Sequence, residues 1–228
     1  MTRFGCQDMV SPIRQVLLKH PKDAFINQSK VNREFVQLNY SGAPDYHRAC
    51  ASYDSFLNLL KSFGIKIHFL PVSKSTSLDS VYTHDPCIVS NNGVILCNMG
   101  KTARLSEPEA VKEYFQSIHV PILGRIEPPG TLEGGDVVWI DEQTVAVGNG
   151  YRSNAEGIRQ LKALLGNQVD NLISVHLPHW TGPEDCLHLM SIVSPVDHDL
   201  YLVYSRLLPV PFRKYLLERQ IQLIEVPD

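Results

Sequence analysis

Gly134-Gly135-Asp136-Val137-Val138-Trp139-Ile140, a turn at Asp141-Glu142-Gln143, and then Thr144-Val145-Ala146-Val147 read as a polar-headed strand, a tight turn and a second, β-branched strand. The same pattern occurs twice more. Val81-Tyr82-Thr83-His84-Asp85-Pro86-Cys87-Ile88-Val89 runs through Ser90-Asn91-Asn92-Gly93 into Val94-Ile95-Leu96-Cys97. Leu187-His188-Leu189-Met190-Ser191-Ile192-Val193 runs through a turn around Asp197-His198-Asp199 into Leu200-Tyr201-Leu202-Val203-Tyr204. The heads Asp85, Asp136 and His188 recur at intervals of 51 and 52 residues, which marks an internal repeat.

A helical stretch follows each strand pair, over 108–117, 153–165 and 211–219. A short strand closes each unit, at 120–123, 172–176 and 222–226. The amino-terminal part fits a fourth copy, with a strand at 13–18, a helix at 50–63 and a strand at 65–70. The expectation is an α/β fold of four strand–strand–helix–strand units. An edge-free arrangement of such units is a ring with the helices outside. In a ring the polar heads converge near the axis, whereas in an ordinary layered sheet they are solvated strand ends.

Composition narrows the function classes. The 228 residues carry 21 Lys and Arg against 24 Asp and Glu, a net charge of −3. A sequence-independent nucleic-acid binder needs a surplus of cations to meet phosphates, so no nucleic-acid partner is expected. A hydrophobic content of 43% with 20% charged residues is that of a globular chain. No apolar run reaches the ~18 residues of a membrane helix, and Met1-Thr2-Arg3-Phe4-Gly5-Cys6 has no apolar signal core. The five cysteines, at 6, 50, 87, 97 and 186, form no C-x-x-C pair. That spacing predicts neither a disulfide scaffold nor a structural zinc site, and it suits a reducing cytoplasm.

Several residue types could carry chemistry. Glu133 and Asp136 flank a Gly-Gly pair, where the chain can adopt unusual angles or approach a ligand closely. Asp79 and Asp85 bracket Ser80–His84, and a separation of six places them on one side of an extended strand. These four acids together would suit a guanidinium or ammonium group. Arg104 and Arg152 follow the second strands of their units, and each could clamp a carboxylate in bidentate fashion. His188, in register with Asp85 and Asp136, is a usable general acid or base. The other eight histidines show no metal spacing. Cys87 and Cys186 are candidate nucleophiles, although small apolar surroundings read both as core residues. Taken singly, each of these residues also has a plainer reading as a turn acid, a surface arginine or a core histidine.

As a set, Asp79-Ser80-Val81-Tyr82-Thr83-His84-Asp85, Arg104, Leu132-Glu133-Gly134-Gly135-Asp136-Val137, Arg152 with Asn154, and Leu187-His188-Leu189 resemble the dimethylarginine dimethylaminohydrolases. These belong to the guanidino-group-modifying superfamily that includes arginine deiminases and amidinotransferases. The resemblance covers nearly all of the chain from residue 79 onward. It implies a five-fold pseudo-symmetric α/β propeller, the pentein fold, with residues 1–228 as one domain holding about four of five ββαβ units. It also implies hydrolysis of N-methylated arginines to citrulline and an alkylamine by covalent cysteine catalysis. Asp79 and Asp85 would hold the amine and guanidinium ends of the substrate. Arg104 and Arg152 would bind its α-carboxylate, Glu133 would orient His188, and His188 would protonate the leaving amine and activate water. No metal and no organic cofactor is implied, and the partner is a small guanidino molecule. The sibling activities, arginine deiminase and amidinotransferase, and a non-catalytic arginine-binding protein are the alternatives.

The chain departs from the family pattern at three points. His84 stands where the family often has an acid. Met190 stands where deiminases and amidinotransferases usually carry an aspartate, which favours a site with room for methyl groups. The nucleophilic cysteine of the family comes in a fifth unit, so the expectation is a C-terminally incomplete chain lacking about fifty residues. The strand at 221–226 would then present an apolar edge prone to self-association, a route to a homo-oligomer. Gly42 and Pro44 permit a mobile lid at residues 39–44.

Overall fold

In the computed structural model, which describes residues 4–227, the chain folds as four successive α/β units. The first comprises β1 (Gln15–Leu18), the short helices α1 (Pro21–Ala24) and α2 (Gln28–Glu34), the long α3 (Tyr46–Ser62) and β2 (Lys66–Phe69). The second is β3 (Cys87–Ser90), β4 (Gly93–Leu96), α4 (Glu107–Ser117) and β5 (Ile122–Arg125). The third is β6 (Val137–Asp141), β7 (Thr144–Asn149), α5 (Ala155–Leu165) and β8 (Asn171–His176). The fourth is β9 (Val193–Asp197), β10 (Leu200–Val203), α6 (Val210–Glu218) and β11 (Gln222–Glu225).

Units two to four share one topology. Two strands pair antiparallel as a hairpin, and the third returns through the helix to lie parallel to the second. The expected turns appear at the hairpin tips, with Ser90 opposite Gly93 and Asp141 opposite Thr144. The helix ends follow from local chemistry. Asp45 accepts the Arg48 N–H to start α3, and Asn154 accepts the Gly157 N–H at 2.8 Å to start α5. Pro211 sits in the first turn of α6, where no intrahelical N–H is needed.

Strand alternation explains how the units stack. Along β6, Val137 and Trp139 pack into the core shared with the second unit, and Val138 and Ile140 into the core shared with the fourth. On β4, Ile95 faces the third unit, and Val94 and Leu96 join the core that Leu17 of β1 touches. Each core therefore lies between consecutive units, and a strand buried on both faces is apolar at every position. A further cluster around Phe25, Val31 and Leu78 seats α1 and α2.

Two expectations are corrected. The first unit has two paired strands, β1 and β2, where the others have three. Residues 4–14 do not form a hairpin partner for β1; the buried Gln7 side chain ties this segment to Glu142 O, Gln168 O and Asn91 N instead. In addition, the polar heads are not strand. Leu78–Val81, Gly134–Asp136 and Leu189–Ser191 are 3-10 turns that precede the hairpins. The even spacing of Asp79 and Asp85 along a strand therefore does not align them. Among the described residues no helix is long and apolar enough to cross a membrane. Ile224, on the edge strand β11, is 46% exposed.

Candidate active site

The segment at Asp85 and the turns at Gly134–Asp136 and Leu189–Ser191 meet where units two, three and four abut. Gly134 donates its N–H to Asp85 O at 2.9 Å, and Gly135 donates to Asp85 Oδ1 at 3.0 Å. The glycines are required by contact. A Cβ on Gly134 would lie 2.1 Å from His84 O, and one on Gly135 would lie 2.4 Å from His188 Nδ1. The Gly-Gly pair thus lets Asp85 and His188 close on the same turn from opposite sides.

Glu133 is fully buried and fully engaged. It accepts the Lys101 backbone N–H at 3.0 Å, Arg152 Nη1 at 3.2 Å and His188 Nε2 at 2.8 Å. Burial alone would raise its pKa, but the His188 hydrogen bond and the Arg152 charge hold the carboxyl down at about 2. His188 shows the converse. Burial pulls its pKa down, and this is outweighed by hydrogen bonds to Cys186 and Glu133 and by the charge of Asp136, which lift it to about 10. The pair is therefore an imidazolium against a carboxylate at neutral pH.

Asp136 anchors this arrangement from below. Its Oδ1 accepts the Leu189 N–H at 3.0 Å and its Oδ2 accepts the Ser153 hydroxyl at 2.6 Å. Both oxygens are thus engaged within the protein. Burial raises its pKa to about 6. Ser153 Oγ also accepts the Glu133 N–H at 3.0 Å, so one hydroxyl ties the two acids of the third unit together.

The second acidic pair lies beside it. Asp79 Oδ2 meets Lys101 Nζ at 2.7 Å, and Asp85 Oδ2 meets Arg104 Nη1 at 2.6 Å. Arg104 is buried, and its guanidinium also bonds both Glu107 oxygens and the carbonyls of Tyr82 and Asp79. Its whole fork is engaged within the protein, rather than turned outward as a clamp for a carboxylate. Arg152 likewise points at Glu133. Burial pushes Glu107 up to about 7, against the pull of Arg104. Lys101 links the clusters, since its N–H reaches Glu133 and its ammonium reaches Asp79.

The cysteines divide. Cys87 is buried, and burial raises its pKa to about 12, as expected of a core thiol. Cys186, expected in the core, is instead exposed, with Sγ 3.6 Å from His188 Nδ1. His84 donates Nε2–H to Gly134 O at 3.1 Å. Met190 packs against the core between units three and four. In the 39–44 segment, Asn39 Nδ2 donates to Glu184 Oε2 at 3.1 Å. A mainly apolar cavity of about 480 Å³ lies behind this region against β1, His84 and Gly134, and Asp79, Asp85, Arg104, Glu133 and His188 are not in its wall. Among the described residues no cluster of three or more His, Cys, Asp or Glu side chains could hold a metal ion.

Lys101, Glu107 and Ser153 escaped the sequence reading. Glu107 carried a signal, three residues after Arg104 at helical spacing. Lys101 carried none, because its contacts cross between units, and Ser153 none, because it reaches Glu133 and Asp136 about twenty residues back in its own unit.

The arginine deiminase family profile matches residues 76–220. The chain belongs to the arginine deiminase family. Within it, the chain is 28% identical over 191 residues to the N(G),N(G)-dimethylarginine dimethylaminohydrolase of Pseudomonas aeruginosa, covering 83% of this chain and 70% of that protein. It is 29% identical over 178 residues to the enzyme of that name from Streptomyces coelicolor, covering 73% of this chain and 65% of that one. The chain thus spans about two thirds of the length of these relatives. A Pseudomonas aeruginosa DDAH structure, a Cys-to-Ser variant complexed with citrulline, superposes with a TM-score of 0.74 at 25% identity, over 94% of this chain and 76% of that one. The N-terminal domain of ArgZ, a cyanobacterial arginine dihydrolase, reaches 0.74 at 16% identity over 94% of this chain and 76% of that one. This family member therefore has the pentein α/β fold.

Proposed function

We propose that this chain forms the guanidino-binding and proton-transfer part of a hydrolase of N-methylated arginines. The observation that carries the proposal is the Glu133–His188 contact at 2.8 Å beside the Asp79 and Asp85 carboxylates. The names of the two bacterial relatives support it.

In this scheme the substrate guanidinium takes the place of the Arg104 guanidinium at Asp85, and Arg104 turns to the substrate α-carboxylate together with Arg152. Asp79 holds the substrate amine in exchange for Lys101. The thiolate of the family's nucleophilic cysteine, a position that none of the five cysteines of this sequence occupies, attacks the guanidinium carbon, the carbon–nitrogen bond breaks, and His188 gives its proton to the departing alkylamine. Neutral His188 then takes a proton from water as the hydroxide adds to the same carbon. Loss of the thiolate leaves citrulline. Glu133 keeps the imidazole oriented and stabilises its charged form.

Isothermal calorimetry with asymmetric dimethylarginine tests the pocket. Binding is expected, and it is lost in Asp85→Ala; equal affinity in that variant overturns the assignment. Product analysis separates the siblings. Dimethylamine with citrulline supports the methylarginine hydrolase, ammonia from arginine an arginine deiminase, and amidino transfer to an added amine an amidinotransferase. Binding without any product marks a non-catalytic arginine-binding protein.

A further inference from the structure

Tyr40 is half-buried, and its hydroxyl is left out of the protein's own hydrogen bonding. The ring packs against the cluster that holds Phe25, Leu38 and Leu78, and the backbone N–H donates to Phe35 O at 3.0 Å. The hydroxyl oxygen is buried and has no hydrogen-bond partner among the described residues. A buried hydroxyl left unpaired is costly and rare in folded proteins. Burial, with the Asp79 carboxylate and the Tyr82 phenol nearby, holds its pKa far above the ordinary tyrosine range. It is therefore a neutral O–H, able to donate and to accept.

The groups around it already cradle an ammonium. Lys101 Nζ donates to Leu38 O at 2.7 Å and to Asp79 Oδ2 at 2.7 Å. Leu38 lies two residues before Tyr40, and Asp79 follows Leu78, against whose cluster the Tyr40 ring packs. An ammonium carries three N–H donors, and Leu38 O with Asp79 Oδ2 meets two of them. The Tyr40 oxygen, beside Asp79, is an unused acceptor for the third.

We infer that the Tyr40 hydroxyl is a further substrate-binding group: it accepts an N–H of an α-ammonium held by Asp79 and Leu38 O, and so favours guanidino acids that carry an α-amine over those that lack one. The inference rests on the functional reading above, because it brings the substrate amine into the place of Lys101. With the phenol O–H turned to Asp79, the donor and the acceptor of the hydroxyl are then both used.

The test is calorimetry on the intact protein with two ligands, asymmetric dimethylarginine and its des-amino analogue, in which hydrogen replaces the α-amine. Tyr40→Phe is expected to weaken the first about 10-fold, the worth of a hydrogen bond to a charged group, and to leave the second unchanged. Because the substitution removes an unpaired buried hydroxyl, the unliganded variant is expected to melt at or above the wild-type midpoint. A lower midpoint, or a variant that fails to fold, shows that the hydroxyl is bonded within the protein and overturns the inference. An equal loss for both ligands, or no loss for either, overturns it as well and leaves the pocket standing. Wild-type protein that binds neither ligand overturns the pocket and this inference together.

Discussion

Glu133 accepts the Nε2–H of His188 at 2.8 Å across a unit boundary, 55 residues apart in sequence. The contact makes the charge on His188 a stability element as well as a chemical one. The folded pKa of His188, about 10, lies above its ordinary value of 6.5. Its contribution is therefore fully present below pH 6.5 and is lost as pH rises toward 10. Urea unfolding across that range is expected to show falling stability, and Glu133→Gln, which leaves no carboxylate against the imidazole, to flatten the fall. An unchanged pH slope in the variant would count against the ion pair.

Asp136 behaves oppositely to a salt-bridged acid. Its folded pKa of about 6 lies above the ordinary 3.8, so folding takes up a proton in between and stability declines as pH rises from 3.8 to 6. Asp136→Asn keeps an acceptor for Leu189 N–H and is expected to remove that decline. Asp136→Ala leaves the buried Leu189 N–H and Ser153 hydroxyl unpaired, a cost of about 1–3 kcal/mol. Chemical denaturation of both variants at pH 4 and pH 7 separates the two effects.

Gly135→Ala puts a methyl group 2.4 Å from His188 Nδ1. The ring must move, at an expected cost of about 1–3 kcal/mol for overpacking. The informative readout is the imidazole itself: its NMR titration midpoint is expected to fall toward 6.5 as the Glu133 contact loosens. A stable variant with an unshifted midpoint would show that the turn has room to spare.

Arg104 is the only cation bonded to both Asp85 and Glu107 among the described contacts. Arg104→Met is expected to destabilise by about 3–5 kcal/mol, because it leaves buried carboxylates without their partner. Arg104→Lys recovers only part of this, since an ammonium cannot reproduce the guanidinium fork. Thermal melts of the two variants against wild type check the order.

The repeat, the hairpin turns and the helix positions were legible in the sequence because they are local. Ser90–Gly93 and Asp141–Gln143 carry turn chemistry, and the unbroken apolar run Val137–Ile140 marks a strand buried on both faces. The spacing of Asp85, Asp136 and His188 also showed which residues come to one place. What each does there was decided only in three dimensions. Asp136 is bonded to Leu189 and Ser153, Arg104 to Asp85 and Glu107, and Cys186, expected in the core, is an exposed neighbour of His188. The physical reason is that a side chain's charge state and direction depend on partners from other units, Lys101, Leu189 and Glu133 among them. Only the close approach of turns at Gly134 and Gly135 brings those partners into reach.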